Sequence, residues 1–309
     1  MDTRSVPIRQ WFSFRPLLTG WFLFTFHLAC QEPLPVSDSP DTDTPEGQTL
    51  RLPSRPNDAA DGSILGAVLR PLPLREREDR IYREITAGNV PSFLRDLQPV
   101  TIQETVNGST WTVTLYITPD YLALGSDADY VLMPMTPILA QRLADTLGAC
   151  LPTRKIVTKI WQVALVKLAP EPIPPSAAMV TVPVFLAHND MIWSQRGTSL
   201  MQFPLGCLVA GHKKDVILSN RIATQPDKVV IYGWHQLNGQ PIQPLYSGHA
   251  NWYADYSHGI RLLYEECYVN GNWERVVDIL SDAERYSILS DEAGPMVQPH
   301  YPVDLSDYP

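Results

Sequence analysis

Val100-Thr-Ile-Gln-Glu-Thr-Val-Asn-Gly-Ser-Thr-Trp-Thr-Val-Thr-Leu-Tyr-Ile117 sets the fold class. Two β-branched runs flank Asn107-Gly108, the dipeptide that accepts positive φ in a two-residue hairpin turn. A different pattern follows at once. Thr136-Pro137 is a helix cap and first-turn pair, Gln141–Leu147 continues it, and Gly148 supplies a left-handed stop. Strand pair and helix alternate without a βαβ period, so the expected class is α+β.

Working outward, Arg75–Thr86 places Ile81, Tyr82 and Ile85 at helical spacing. Pro152-Thr153 opens a predicted helix that runs from Arg154 to Val166 and is stopped by the prolines of 170–175. The second half reads as strand-rich. Met179–Leu186, Val216–Leu218, Val229–Tyr232 and Ile260–Tyr268 are predicted strands, Asn238-Gly239 and Asn270-Gly271 predicted turns, and Ser281–Leu289 a short terminal helix. The organisation expected is a signal peptide over 1–30, a disordered linker over 31–62, a mixed α/β subdomain over 63–175 and a β-rich subdomain over 176–309.

The expected export signal is Arg4, Arg9 and Arg15 before an apolar run from Leu17 to Ala29. Thirteen residues make about 20 Å of helix, short for a bilayer span. Leu28-Ala29-Cys30 resembles a bacterial lipoprotein cleavage box, although His27 replaces its usual aliphatic residue. Lipidation of Cys30, plain secretion and a buried N-terminal helix are the three outcomes weighed. The Pro-, Asp-, Ser- and Thr-rich stretch that follows cannot bury enough apolar surface to offset chain entropy. The formal charge is −9, and residues 1–29 carry three Arg and one Asp, leaving about −11 on the remainder. An acidic chain without a basic stripe argues against nucleic acid as a partner. The expected location is periplasmic, at the cell surface as a lipoprotein, or secreted, with membrane contact only through an N-terminal lipid anchor. The four cysteines are Cys30, Cys150, Cys207 and Cys267, and none forms a C-x-x-C pair.

Five of the seven histidines lie between His188 and His258, each in a polar or glycine-rich phrase. Imidazole serves proton transfer near neutral pH and metal ligation. His212, His235, His249 and His258, with Asp190 or Asp255, are therefore candidate ligands for zinc or another divalent metal. The metal-free alternative makes His235, His258, Asp255, Ser257 and His212 a catalytic set, with Lys214 holding an anionic group and Trp234, Tyr256 and Arg261 contacting substrate. Cys207, five residues before His212, is weighed both as a thiolate nucleophile and as an inert core residue. His188 sits in the most detached phrase and ranks last. Trp234, Trp252, Tyr253 and Tyr256 offer aromatic faces for sugar rings or for packing.

Tyr256-Ser-His-Gly-Ile-Arg-Leu262 is similar to the Ser-His-Gly-Cys-Ile-Arg signature of the YkuD-type L,D-transpeptidases. The resemblance implies an exported, β-rich cell-wall enzyme and carries over Ser257, His258, Gly259 and Arg261. The nucleophilic Cys is missing between Gly259 and Ile260, and Tyr232 stands where the first signature His is expected. Gly211–Asp215 and Asp255–Leu262 also look like phrases in bacterial exported proteins or lipoproteins of no assigned activity. The sequence thus leads to an exported hydrolase of a cell-envelope or extracellular polymer, glycan or peptide. Beside it stand a non-catalytic envelope- or glycan-binding protein and a degenerate transpeptidase-like domain.

Overall fold

The computed structural model describes residues 47–309. The signal peptide, Cys30, His27 and the linker up to residue 46 lie outside the described residues. α1 (Gly62–Leu69) and α2 (Leu74–Thr86) precede the long hairpin of β1 (Gln98–Val106) and β2 (Ser109–Ile117). A short ribbon of β3 (Ala123–Gly125) and β4 (Tyr130–Leu132) leads to α3 (Pro137–Leu147), β5 (Ala149–Cys150), α4 (Arg154–Val163) and β6 (Val166–Lys167). After α5 (Val182–Gly197) come β7 (Val209–Ala210), β8 (Lys214–Val216), the short α6 (Arg221–Thr224), β9 (Ile231–His235) and β10 (Pro241–Tyr246). The chain closes with β11 (His258–Gly259), β12 (Leu263–Tyr264), β13 (Glu266–Val269), β14 (Asn272–Arg275) and α7 (Val276–Ser281). The class is α+β, with a strand-rich second half.

Local chemistry explains several boundaries. Asn107 and Gly108 both take positive φ, 52° and 80°, as the hairpin turn requires. Asn270 and Gly271 repeat this between β13 and β14, at 45° and 95°. Thr136 Oγ1 accepts the Leu139 N–H at 3.3 Å, Pro137 occupies the first turn, and Gly148 ends α3 at φ 62°.

Three expected elements are corrected. Met179–Leu186 is not a strand: Val182 starts a helix that buries Val182, Phe185, His188, Asn189, Ile192 and Arg196. That spacing is helical and outweighs the β-branched start. The helix from Arg154 stops at Val163, because Val166 and Lys167 pair in parallel with Val209 and Ala210. The terminal helix lies earlier, over Val276–Ser281, and only a single 3-10 turn covers Tyr286–Ile288. The expected linker also ends before residue 62. Thr49 bridges to Asp96, Leu50 is buried, and Arg55 donates to Asn89 Oδ1, Gly125 O and Asp61 Oδ1.

The larger sheet runs β14-β13-β2-β12-β5, with β1 on the other side of β2. β12 and β13 come from the second half yet pair with β2 of the first, at Leu263↔Ile117 and Tyr268↔Thr114. One hydrophobic cluster therefore spans the boundary expected at 175. The smaller sheet, β10-β9-β8-β11, carries most of the polar phrases. Tyr301 ties the C-terminal segment beneath it, donating to Ile217 O at 2.7 Å and accepting from Val230 N at 3.0 Å. Among the described residues no helix is long and apolar enough to cross a membrane.

Candidate functional site

β8 and β11 run parallel, with His258 opposite Lys214 and Gly259 opposite Asp215. β8 and β9 run antiparallel, with Lys214 opposite Gly233. Directly opposed residues share a face, so this register sets His258 and Lys214 on one side of the sheet. Asp255 sits in the turn leading into β11. Its Oδ2 accepts from Lys214 Nζ at 3.2 Å and from Tyr253 OH at 3.4 Å. Its Oδ1 accepts the Ser257 N–H at 2.8 Å and also the Ser257 hydroxyl. Burial pushes the Asp255 carboxyl up, but His258, Lys214 and the Ser257 donors outweigh it and hold the group well below the usual carboxylate range.

His258 is 0% exposed, and neither ring nitrogen has a hydrogen-bond partner. Burial lowers its pKa to about 4, so the imidazole is neutral and unprotonated at neutral pH. The Tyr253 ring lies 5.8 Å away at 71°, His249 stacks on Tyr253 at 4.0 Å, and Tyr246 meets His249 edge-on at 5.1 Å. Tyr246 is 40% exposed, so an aromatic column leads from solvent to His258. Burial, reinforced by Asp255, pushes the Tyr253 hydroxyl up to about 12, where it remains a proton donor at neutral pH.

A second buried network lies close by. Asp120 Oδ1 is 3.0 Å from His212 Nε2; the carboxylate can only accept, so Nε2 carries the proton. Burial lowers the His212 pKa. Lys213 Nζ donates to Tyr256 O at 2.7 Å and lies 3.5 Å from His188 Nδ1. Burial lowers the Lys213 pKa to about 7 and, chiefly together with Lys213, lowers that of His188 to about 2. Tyr121 OH donates to Asp215 Oδ2 at 2.8 Å, and burial raises the Asp215 carboxyl to about 7.

The predicted residues therefore separate. Lys214, Asp255, Ser257 and His258 come together, with Trp234 over Lys214 at 5.4 Å. His235 does not join them; it stacks on Trp161 of α4 at 5.7 Å and meets Tyr232 at 5.5 Å. His212 belongs to the Asp120 network. Arg261 is buried, donates to Thr118 O and Val209 O at 2.7 Å each, and lies 4.4 Å over the Tyr121 ring. Through these bonds it fastens the segments of Thr118 and Val209. Tyr256 is buried too, with its hydroxyl bonded to Ile173 N at 2.7 Å. Among the described residues, no three His, Cys, Asp or Glu side chains are placed to hold a metal ion. The four histidines expected to bind zinc thus form no ligand set, and Asp190 is exposed on α5. Cys207 is buried just before β7.

Asp120 and Tyr121 are not singled out in the sequence reading, His188 ranks last in it, and Lys213 and Asp215, expected in a solvated turn, are buried. An acid at 120 inside the apolar run from Leu115 to Leu124 was the available signal for a buried, partnered carboxylate.

No family model, curated protein or solved structure matches the chain. The transpeptidase resemblance rests on its own short phrase. In that phrase Ile260 is a fully buried core residue directly after Gly259, with no thiol beside Ser257 and His258.

Proposed function

We propose that the protein is an exported hydrolase of a cell-envelope or extracellular polymer, with His258 as proton acceptor. The supporting observation is His258 itself: a fully buried imidazole with two unpartnered nitrogens, beside an ionised Asp255 paired to Lys214. Buried polar groups are nearly always satisfied, so a ring with both nitrogens unpartnered calls for an explanation, and a catalytic role is one. Ser257 donates its hydroxyl hydrogen bond to Asp255 rather than to His258, so on this reading it serves as an anchor and water is the nucleophile. His258 takes a proton from water as the oxygen attacks and returns it to the leaving group. Asp255 stabilises the imidazolium formed between these steps, and Lys214 holds Asp255 in place. On this reading substrate approaches from the side of Tyr246, His249 and Tyr253, a stack that must part to uncover the buried imidazole.

A second reading, non-catalytic polymer binding, is favoured by exposed Trp252 and Tyr246, at 41% and 40%. Release of soluble fragments from peptidoglycan and from polysaccharides separates the two. The wild type is expected to turn over one of these, with His258→Ala slower by roughly 100-fold or more. Equal turnover in both forms removes His258 from the chemistry. Retained polymer binding without wild-type turnover replaces the hydrolase with the binding protein.

A further inference from the structure

Trp234 has φ 54°, a left-handed backbone that bulky side chains rarely adopt. It follows Gly233 at φ 111°. Lys214 pairs directly with Gly233, so in a regular strand Lys214 and Gly233 would share a face and Trp234 would point to the opposite one. The indole instead lies 5.4 Å from Lys214 Nζ, and Trp234 N still donates to Lys213 O at 3.0 Å. A local left-handed kink at Gly233-Trp234, which re-aims one side chain while the ladder keeps its register, accounts for all of this. The Lys214 ammonium is thereby held between an aromatic face and the Asp255 carboxylate, 3.2 Å from the latter. His188 and Tyr256 back the indole edge-on at 6.4 and 6.1 Å.

We propose that the strained Gly233-Trp234 kink is a positioning device, and that Trp234 is a positioning residue that holds Lys214 on Asp255. The role assigned to that pair rests on the hydrolase reading; the geometry of the kink does not. The charged and titratable groups around Asp255 are Lys214, His258, His249, Lys213, His188 and Tyr256, with the Tyr253 and Ser257 hydroxyls bonded to it.

The test is the Asp255 carboxyl titration, followed by carboxyl-carbon NMR on the purified protein. Lys214→Met calibrates the coupling and is expected to raise the Asp255 midpoint by about 1 pH unit or more. Trp234→Leu is expected to reproduce most of that rise, and Trp234→Phe, which keeps a ring, to titrate like the wild type. Gly233→Ala is the second route if Trp234→Leu does not fold. Its methyl would meet only ordinary contacts at 3.4–3.5 Å with Asp215, Val157 and His235, but it disfavours the left-handed kink while the tryptophan itself is unchanged. It too should raise the midpoint. A wild-type midpoint in Trp234→Leu or, where that variant does not fold, in Gly233→Ala overturns the proposal, as does no response to Lys214→Met. The readout is independent of turnover. Loss of the hydrolase reading in the His258→Ala assay therefore leaves the titration result intact, and the two failures are distinguishable.

Discussion

Replacing His258 by leucine should make the protein more stable, and increasingly so in acid. At pH 7.5 the imidazole is neutral in both folded and unfolded chains, so the relevant cost is burial of a polar ring with no partner. Such a group costs about 1–3 kcal/mol, and leucine removes it at similar volume. Allowing for imperfect packing, we expect a net gain of about 1 kcal/mol, or roughly 2–4 °C in Tm. The acid response has a definite sign. Burial lowers the folded pKa from the ordinary 6.5 to about 4, so between these values the unfolded chain binds more protons. Wild-type stability from this group is complete above the upper value and lost as pH falls toward the lower one. At pH 5 that loss is about 2 kcal/mol relative to pH 7.5, and the leucine variant escapes it. Denaturant unfolding of both proteins at the two pH values measures the gap, and titrations shared by both cancel in the difference to first order. A leucine variant less stable at pH 7.5, with no widening at pH 5, would refute the reasoning: His258 would then be a satisfied core histidine.

Two further outcomes test the surroundings. Lys214→Met leaves the nearly buried Asp255 carboxylate without its cation and should cost about 3 kcal/mol in urea unfolding, whereas the double change to Met and Leu should recover much of it; a cost below about 0.5 kcal/mol for the single change would mark an inconsequential surface pair. Cys150 and Cys267 are buried, and burial first of all pushes both thiols up, that of Cys267 to about 12. Both should resist iodoacetamide at pH 8 in the native protein and react on unfolding, and prompt native labelling would contradict their burial.

The parts of the fold legible in the sequence are those written in local backbone chemistry. Asn107-Gly108 and Asn270-Gly271 mark their turns because few other dipeptides take two positive φ values. Thr136, Pro137 and Gly148 bound their helix by cap, first turn and left-handed stop. The valines of the segment at Val182 favour strand, yet it is a helix. Its helical period emerges only when His188, Asn189 and Arg196 count as buried, and polar residues are not expected there.

The site divides along the same line. The phrase Asp255-Tyr256-Ser257-His258 announces an acid, a hydroxyl and an imidazole, and the Asp255–Ser257 contact is local enough to follow from it. Long-range pairing decided the rest. The parallel register of β8 and β11 sets Lys214 opposite His258, and packing of the 118–122 turn brings Asp120 to His212 and Tyr121 to Asp215. His235 shows the limit most clearly: its neighbours in sequence resemble those of His258, yet it faces Trp161. By itself, then, the sequence determined the turns, the caps and which polar residues were present to be gathered. Only the tertiary structure decided which of them meet, because a side chain's partner across a sheet depends on strand register, a property of two segments that neither segment encodes alone.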